Sequence, residues 1–140
     1  MLTPLRLQPG DDLRVALELA LQRDFPNGRN GAFVVCGIGS LSRVALRLAG
    51  AETSTTLDGL FEILTLSGTL TADGVHLHMS IADAQGKVLG GHVGAGCIVR
   101  TTAEILVAPV QGHILSRSFD AATGYPELTI LPISPGPSLD

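Results

Sequence analysis

The sequence predicts an α+β domain: a mostly antiparallel β-sheet with one main N-terminal helix packed on it. Apolar residues recur at helical spacing once, near the N-terminus. From residue 32 onward their spacing becomes that of strands, and glycine-containing turn pairs punctuate the rest at short intervals. The 140 residues suffice for about one compact domain with its own core.

Pro9-Gly10-Asp11-Asp12 combines a turn with helix-capping chemistry. Leu13, Ala16, Leu17, Ala20 and Leu21 then fall at i, i+3, i+4, i+7 and i+8, the stripe of an amphipathic helix. Pro26-Asn27-Gly28 should stop it near Phe25, since the residue before proline disfavours helix. Ala32-Phe33-Val34-Val35-Cys36 is the continuous apolar run of a buried strand. Gly37-Ile38-Gly39-Ser40 reads as a tight turn rather than a phosphate loop, because no helix follows it. Val44, Leu46 and Leu48 then alternate with Arg43, Ala45 and Arg47 as in a strand with one wet face. Further strands are expected at Leu60 to Leu70, Val75 to Ala82, Val88 to His92, Cys97 to Val107 and Leu128 to Leu131, with hairpin turns at Asp73-Gly74 and Gln85-Gly86. Residues 1–131 form a single domain in this reading, and 132–140 a flexible tail rich in proline, serine and glycine.

Composition excludes several classes. No apolar run approaches the roughly 20 residues that span a bilayer, and the N-terminus runs into Asp11 and Asp12 without the apolar stretch of a secretory signal. The expected location is cytoplasmic. Net charge is −4, and the nine basic residues are scattered rather than gathered into a tract, so direct nucleic-acid binding is disfavoured. Cys36 and Cys97 stand alone, without a Cys-x-x-Cys pair, and are expected to be small buried hydrophobes.

The richest chemistry lies in His76-Leu77-His78 and Gly90-Gly91-His92. On a strand, residues i and i+2 share a face, so His76 and His78 project together while Val75, Leu77, Met79 and Ile81 fill the core side. If the strands around His78 and His92 pair across Gln85-Gly86, a third imidazole joins them. Three neutral nitrogen donors suit a divalent transition metal, zinc first, with iron or nickel also possible. A three-histidine site with an open position is of the catalytic kind. Glu62 alternates with Leu60, Leu64 and Leu66, which would aim a carboxylate at an apolar face and demand a partner such as Arg43, Arg47 or the metal. Glu104 is a further carboxylate that could support the metal or its ligand. His113 is expected to be structural, and Arg117 with Asp120 to form a pair that fixes a loop.

The succession from Gly59 to Leu70, His76 to Asp83, Gly86 to His92 and Thr101 to Glu104 resembles the PPC domain family, "plants and prokaryotes conserved". Pro9-Gly10-Asp11, Gly37 to Ser42, Arg117 and Asp120 fit the same pattern, so the resemblance runs from about Leu5 to Leu131. It implies an α+β domain that associates as a homotrimer and can recruit another protein, in a setting connected with transcription or DNA. In plant members the DNA contact belongs to fused AT hooks, and no Arg-Gly-Arg-Pro core occurs here. The pattern is that of the stand-alone bacterial or archaeal type. Two functions follow as expectations: a homotrimeric interaction module carrying the histidine site, or a metal-dependent enzyme acting on a small polar ligand, with Glu62 or Arg43 orienting it.

Overall fold

The structure, a computed structural model, describes residues 2–24 and 30–133. Its elements in chain order are β1 (Thr3–Leu7), α1 (Leu13–Asp24), β2 (Ala32–Arg47), β3 (Thr55–Thr71), β4 (Gly74–Ala82), β5 (Val88–Val93), β6 (Ile98–Pro109), β7 (His113–Asp120) and β8 (Tyr125–Pro132). The first six strands form one antiparallel sheet in the order β1-β6-β2-β3-β4-β5, and β7 with β8 forms a separate hairpin. The large sheet curls until β5 meets β2 again, through Leu46↔Val93 and Arg47↔His92. It is therefore a closed ring over part of its height, which satisfies both edges of β5.

Helix α1 begins where the sequence predicts. One Asp12 carboxylate oxygen accepts the N–H groups of Arg14 and Val15, and the other accepts that of Gly96 at 2.6 Å. The cap thus also ties the helix start to the loop before β6. Leu13, Leu17, Ala20 and Leu21 are buried, while Val15 and Leu19 on the other side are exposed. The expected stop at Phe25-Pro26-Asn27-Gly28 lies outside the described residues, as does the tail from 134 onward. Val75, Leu77, Met79 and Ile81 of β4 join the helix residues in one core with Leu41, Leu46, Leu66 and Val99.

Several expectations need correction. Gly37-Ile38-Gly39-Ser40 is no turn; it lies inside β2, which runs unbroken for 16 residues with register shifts against β6. The run from Ala32 to Cys36 is not buried throughout: Ala32 and Val34 face the core, whereas Phe33 and Val35 are 40% and 50% exposed. Cys36 is exposed with them, and only Cys97 is buried. The Cys97 thiol sits against the backbone of Ala45, and burial pushes its pKa up. β1 was unexpected because it contains Pro4; as an edge strand pairing only with β6, it tolerates the missing N–H. β7 was unexpected because a single residue, Leu115, is buried along it.

Gly68 of β3 takes φ +152°, and a Cβ there would collide with the His76 carbonyl oxygen and lie 2.8 Å from Leu77 Cα. This lets β3 press against β4 at the register that carries His76 and His78. We expect Gly68→Ala to cost about 1–3 kcal/mol through overpacking, and Asp12→Ala about 1–2 kcal/mol through the lost cap. Urea denaturation followed by circular dichroism checks both, with unchanged midpoints as the contrary result.

Candidate metal centre

β4 presents His76 and His78 outward, because their neighbours Val75, Leu77 and Met79 are committed to the core. The β4–β5 hairpin sets His92 directly across from His78, with Met79↔Gly91 and Ser80↔Gly90 beside it. On its other edge, β5 sets His92 across from Arg47 of β2. A Cβ on Gly91 would lie 2.8 Å from the Arg47 carbonyl oxygen, so glycine there permits the close approach of β5 to β2.

Three imidazoles consequently meet. His76 Nε2 and His78 Nε2 are 3.1 Å apart, and ring centroids are separated by 4.9 Å (His76–His78), 5.0 Å (His76–His92) and 5.6 Å (His78–His92). One nitrogen from each ring lies within 4.8 Å of the others. Nitrogens 2.0–2.1 Å from a tetrahedral ion stand about 3.3 Å apart, so the His76–His78 spacing already fits and small ring rotations would bring His92 in. His92 Nδ1 is buried with no hydrogen-bond partner. A buried polar atom without a partner is costly, and coordination would relieve it. The donor set and this orphaned nitrogen both fit a divalent transition metal.

Electrostatics favour the neutral form of His92 and His76, as coordination requires. Burial pushes His92 down to about 4, with His76, Arg47, His78 and Arg14 adding repulsion. His76 is also lowered, by burial first, then Arg117 and His78, against an opposing pull from Glu127.

The remaining candidates are elsewhere. Glu62 shares an outer face with Leu60 and Leu64, and all three are exposed; Phe61 and Ile63 take the core side. A register shift between Ile63 and Thr65 then turns Leu66 inward, away from the face that Leu60, Glu62 and Leu64 share. Glu62 lies five residues along β3 from Ser67, the residue across from His78, about 17 Å at strand rise. Arg43 is exposed and bound to Asp58 at 2.7 Å. Glu104 is exposed on β6, across from Arg6 and Ile38. His113 is exposed, with Nδ1 3.3 Å from the Gln111 carbonyl oxygen. Arg117 does not pair with Asp120: its backbone N–H donates to Asp73 and its guanidinium to Thr69 Oγ1 and the Pro126 carbonyl, while Asp120 accepts from Ala122 N–H in the β7–β8 turn.

Beside the histidines opens a cavity of about 520 Å³, reached by Arg14, Arg47 and Arg117 and walled in part by Tyr125 and Pro126. Sequence reasoning did not place these arginines there. Arg47 enters through the closure of β5 on β2, and Arg117 through a hairpin distant in sequence; neither has a local signal.

The family model of the Plants and Prokaryotes Conserved (PCC) domain matches residues 2–111. The chain belongs to this family, and the α+β fold is the one the resemblance implies. It is 48% identical over 135 residues to the bifunctional protein GlmU of Synechococcus sp. (strain JA-2-3B'a(2-13)), covering 96% of this chain and 21% of that protein. The chain spans about a fifth of the length of the GlmU relatives it matches. A hypothetical protein from Salmonella is 40% identical, with a TM-score of 0.88 over 94% of each chain. A metal-containing protein from Archaeoglobus fulgidus is 25% identical, with a TM-score of 0.71 over 92% of this chain and 93% of that one.

Because the folded value for His92 lies near 4 and the ordinary value is 6.5, the unfolded chain takes up the proton first. Stability of the metal-free protein should therefore be flat above about pH 6.5 and fall as pH drops towards about 4. Urea midpoints across that window check this, and His92→Gln should flatten the slope. An equally steep slope in the variant would contradict the assignment.

Proposed function

We propose that this chain is a homotrimeric interaction module in which His76, His78 and His92 hold a divalent transition metal, zinc in the first instance, with iron or nickel served by the same donors. The convergence of three ring nitrogens within 4.8 Å carries the metal reading. The likeness to a metal-containing archaeal protein supports it. A bound ion would supply Lewis acidity at an open position; the three histidines would hold it, and the neighbouring arginines and β7–β8 hairpin shape the adjoining cavity.

Support for self-association comes from the outer face of the sheet. The register that pairs Val34 with Gly68 and Gly39 with Ile63 sets Ile38 across from Leu64, and these are 58% and 46% exposed. Phe33, Val35 and Leu60 extend the apolar surface. Covering such a patch is favourable at roughly 25 cal/mol per Å², and a second copy of this chain is an occupant consistent with the homotrimer that the PPC resemblance implies. The GlmU relatives, in which the matching region is a fifth of the chain, fit a domain that works appended to other proteins. A net charge of −4 and a basic complement without a tract leave duplex DNA outside this reading. No helix among the described residues is long and apolar enough to cross a membrane, and a cytoplasmic location is part of the proposal. The cavity beside His76 and His92 favours a second reading, a metal-dependent enzyme acting on a small polar ligand.

Elemental analysis of protein prepared without chelator should find close to one metal ion per chain, lost in His78→Ala while circular dichroism is unchanged, since His78 is an exposed side chain. Wild-type protein that stays metal-free after incubation with zinc, iron and nickel would falsify the metal reading. Light scattering should give three times the 14.5 kDa chain mass, and Ile38→Asp should shift it towards one; a monodisperse wild-type monomer would end the trimer proposal.

A further inference from the structure

We propose that the cavity beside the histidines is a binding site for a small molecule bearing an oxyanion, a phosphate or carboxylate group, which Arg47 and Arg117 grip. The inference deepens the metal reading and rests on it in one respect: an ion on the imidazoles would add to the positive charge that the ligand neutralises.

Unmet hydrogen-bonding capacity of the cavity's guanidiniums is the first argument. Three guanidiniums reach it, Arg14, Arg47 and Arg117, against two carboxylates, Asp73 and Glu127. Arg14 is answered by Glu18 at 3.1 Å, and an Asp73 oxygen is taken up by the backbone N–H of Arg117 at 2.9 Å. Among the described residues neither Arg47 nor Arg117 forms a salt bridge. Arg47 has one long bond, 3.5 Å to the Ala51 carbonyl oxygen, although it is half-buried. Guanidinium N–H groups drawn out of water and left short of acceptors are costly, and an oxyanion in the space between the two arginines would supply those acceptors.

Pre-organisation is the second argument. Arg117 is fixed through Nη2 to Thr69 Oγ1 at 2.6 Å and through Nη1 to the Pro126 carbonyl oxygen at 3.3 Å. Its Nε is buried and has no partner. A planar guanidinium held this way and left short of acceptors suits an oxyanion better than a flexible ammonium would. Arg47 is anchored by the strand pairing that sets it across from His92. The volume of about 520 Å³ exceeds what inorganic phosphate needs and falls in the range of small-molecule sites. Tyr125, Pro126 and Val75 supply walls for an organic body behind the charged group.

Isothermal titration of the whole chain with inorganic phosphate and, separately, malonate tests this, each on metal-free and zinc-loaded protein. At least one anion should bind saturably at one per chain, and Arg47→Gln and Arg117→Lys should each weaken that binding at least tenfold while zinc content per chain stays unchanged. Preference for phosphate identifies a phosphate ester as the ligand class, and preference for malonate a carboxylate. If Arg47→Gln does not fold, Arg47→Lys reads the same quantity through loss of the planar fork. Binding that survives the arginine variants at full strength overturns the proposal, as does no saturable binding of either anion in either metal state. The two readings fail separately: wild-type protein that takes up no zinc yet binds anion through the arginines ends the metal reading alone, and zinc-loaded protein indifferent to both anions ends this one alone.

Discussion

The return of β5 to β2 is the constraint on which the rest of the structure depends. Two residue pairs close the ring, Leu46↔Val93 on the inside and Arg47↔His92 on the outside. The inner pair is fully buried and contributes to the core by burial of apolar area. The outer pair completes a row across four strands, Arg47, His92, His78 and Ser67. His76 stands two residues along the same face of β4. Core closure and the chemical site are thus two sides of one pairing, and the glycines at 68 and 91 supply the close backbone approach that it needs.

The site's electrostatics follow from the same geometry. His76 and His92 are half-buried and lose solvation when charged, so their neutral state is favoured and their nitrogens are free to donate. The arginines along the rim push in the same direction. A buried His92 Nδ1 without a hydrogen-bond partner is better matched to a cation held by lone pairs than to a structural hydrogen-bond network.

Local patterns made part of this readable from the sequence. The stripe from Leu13 to Leu21 and the Asp12 cap give α1; alternation in Val75 to Ile81 gives β4; the turn at Gln85-Gly86 gives the pairing of His78 with His92. What escaped depends on non-local geometry. The pattern divides β2 at Gly37-Ile38-Gly39-Ser40 because glycines that allow irregular register within a long strand look the same as glycines that make a turn. Phe33 and Val35 were assigned to the core because an apolar run does not reveal which of its faces meets solvent or another copy. Alternation groups Glu62 with Leu60, Leu64 and Leu66, whereas a register shift beyond Ile63 turns Leu66 inward and leaves Glu62 exposed beside Leu60 and Leu64. Arg47 and Arg117 reach the histidines only through ring closure and through a hairpin with a single buried residue, neither of which leaves a local trace.

The central claim is that His76, His78 and His92 act together as one donor set. X-ray absorption at the metal edge of zinc-loaded protein tests it most directly. The account predicts a first shell of three imidazole nitrogens at about 2.0–2.1 Å, with the outer-ring scattering of histidine and no sulfur. A sulfur shell at about 2.3 Å, or a shell of oxygen alone without imidazole scattering, would contradict it.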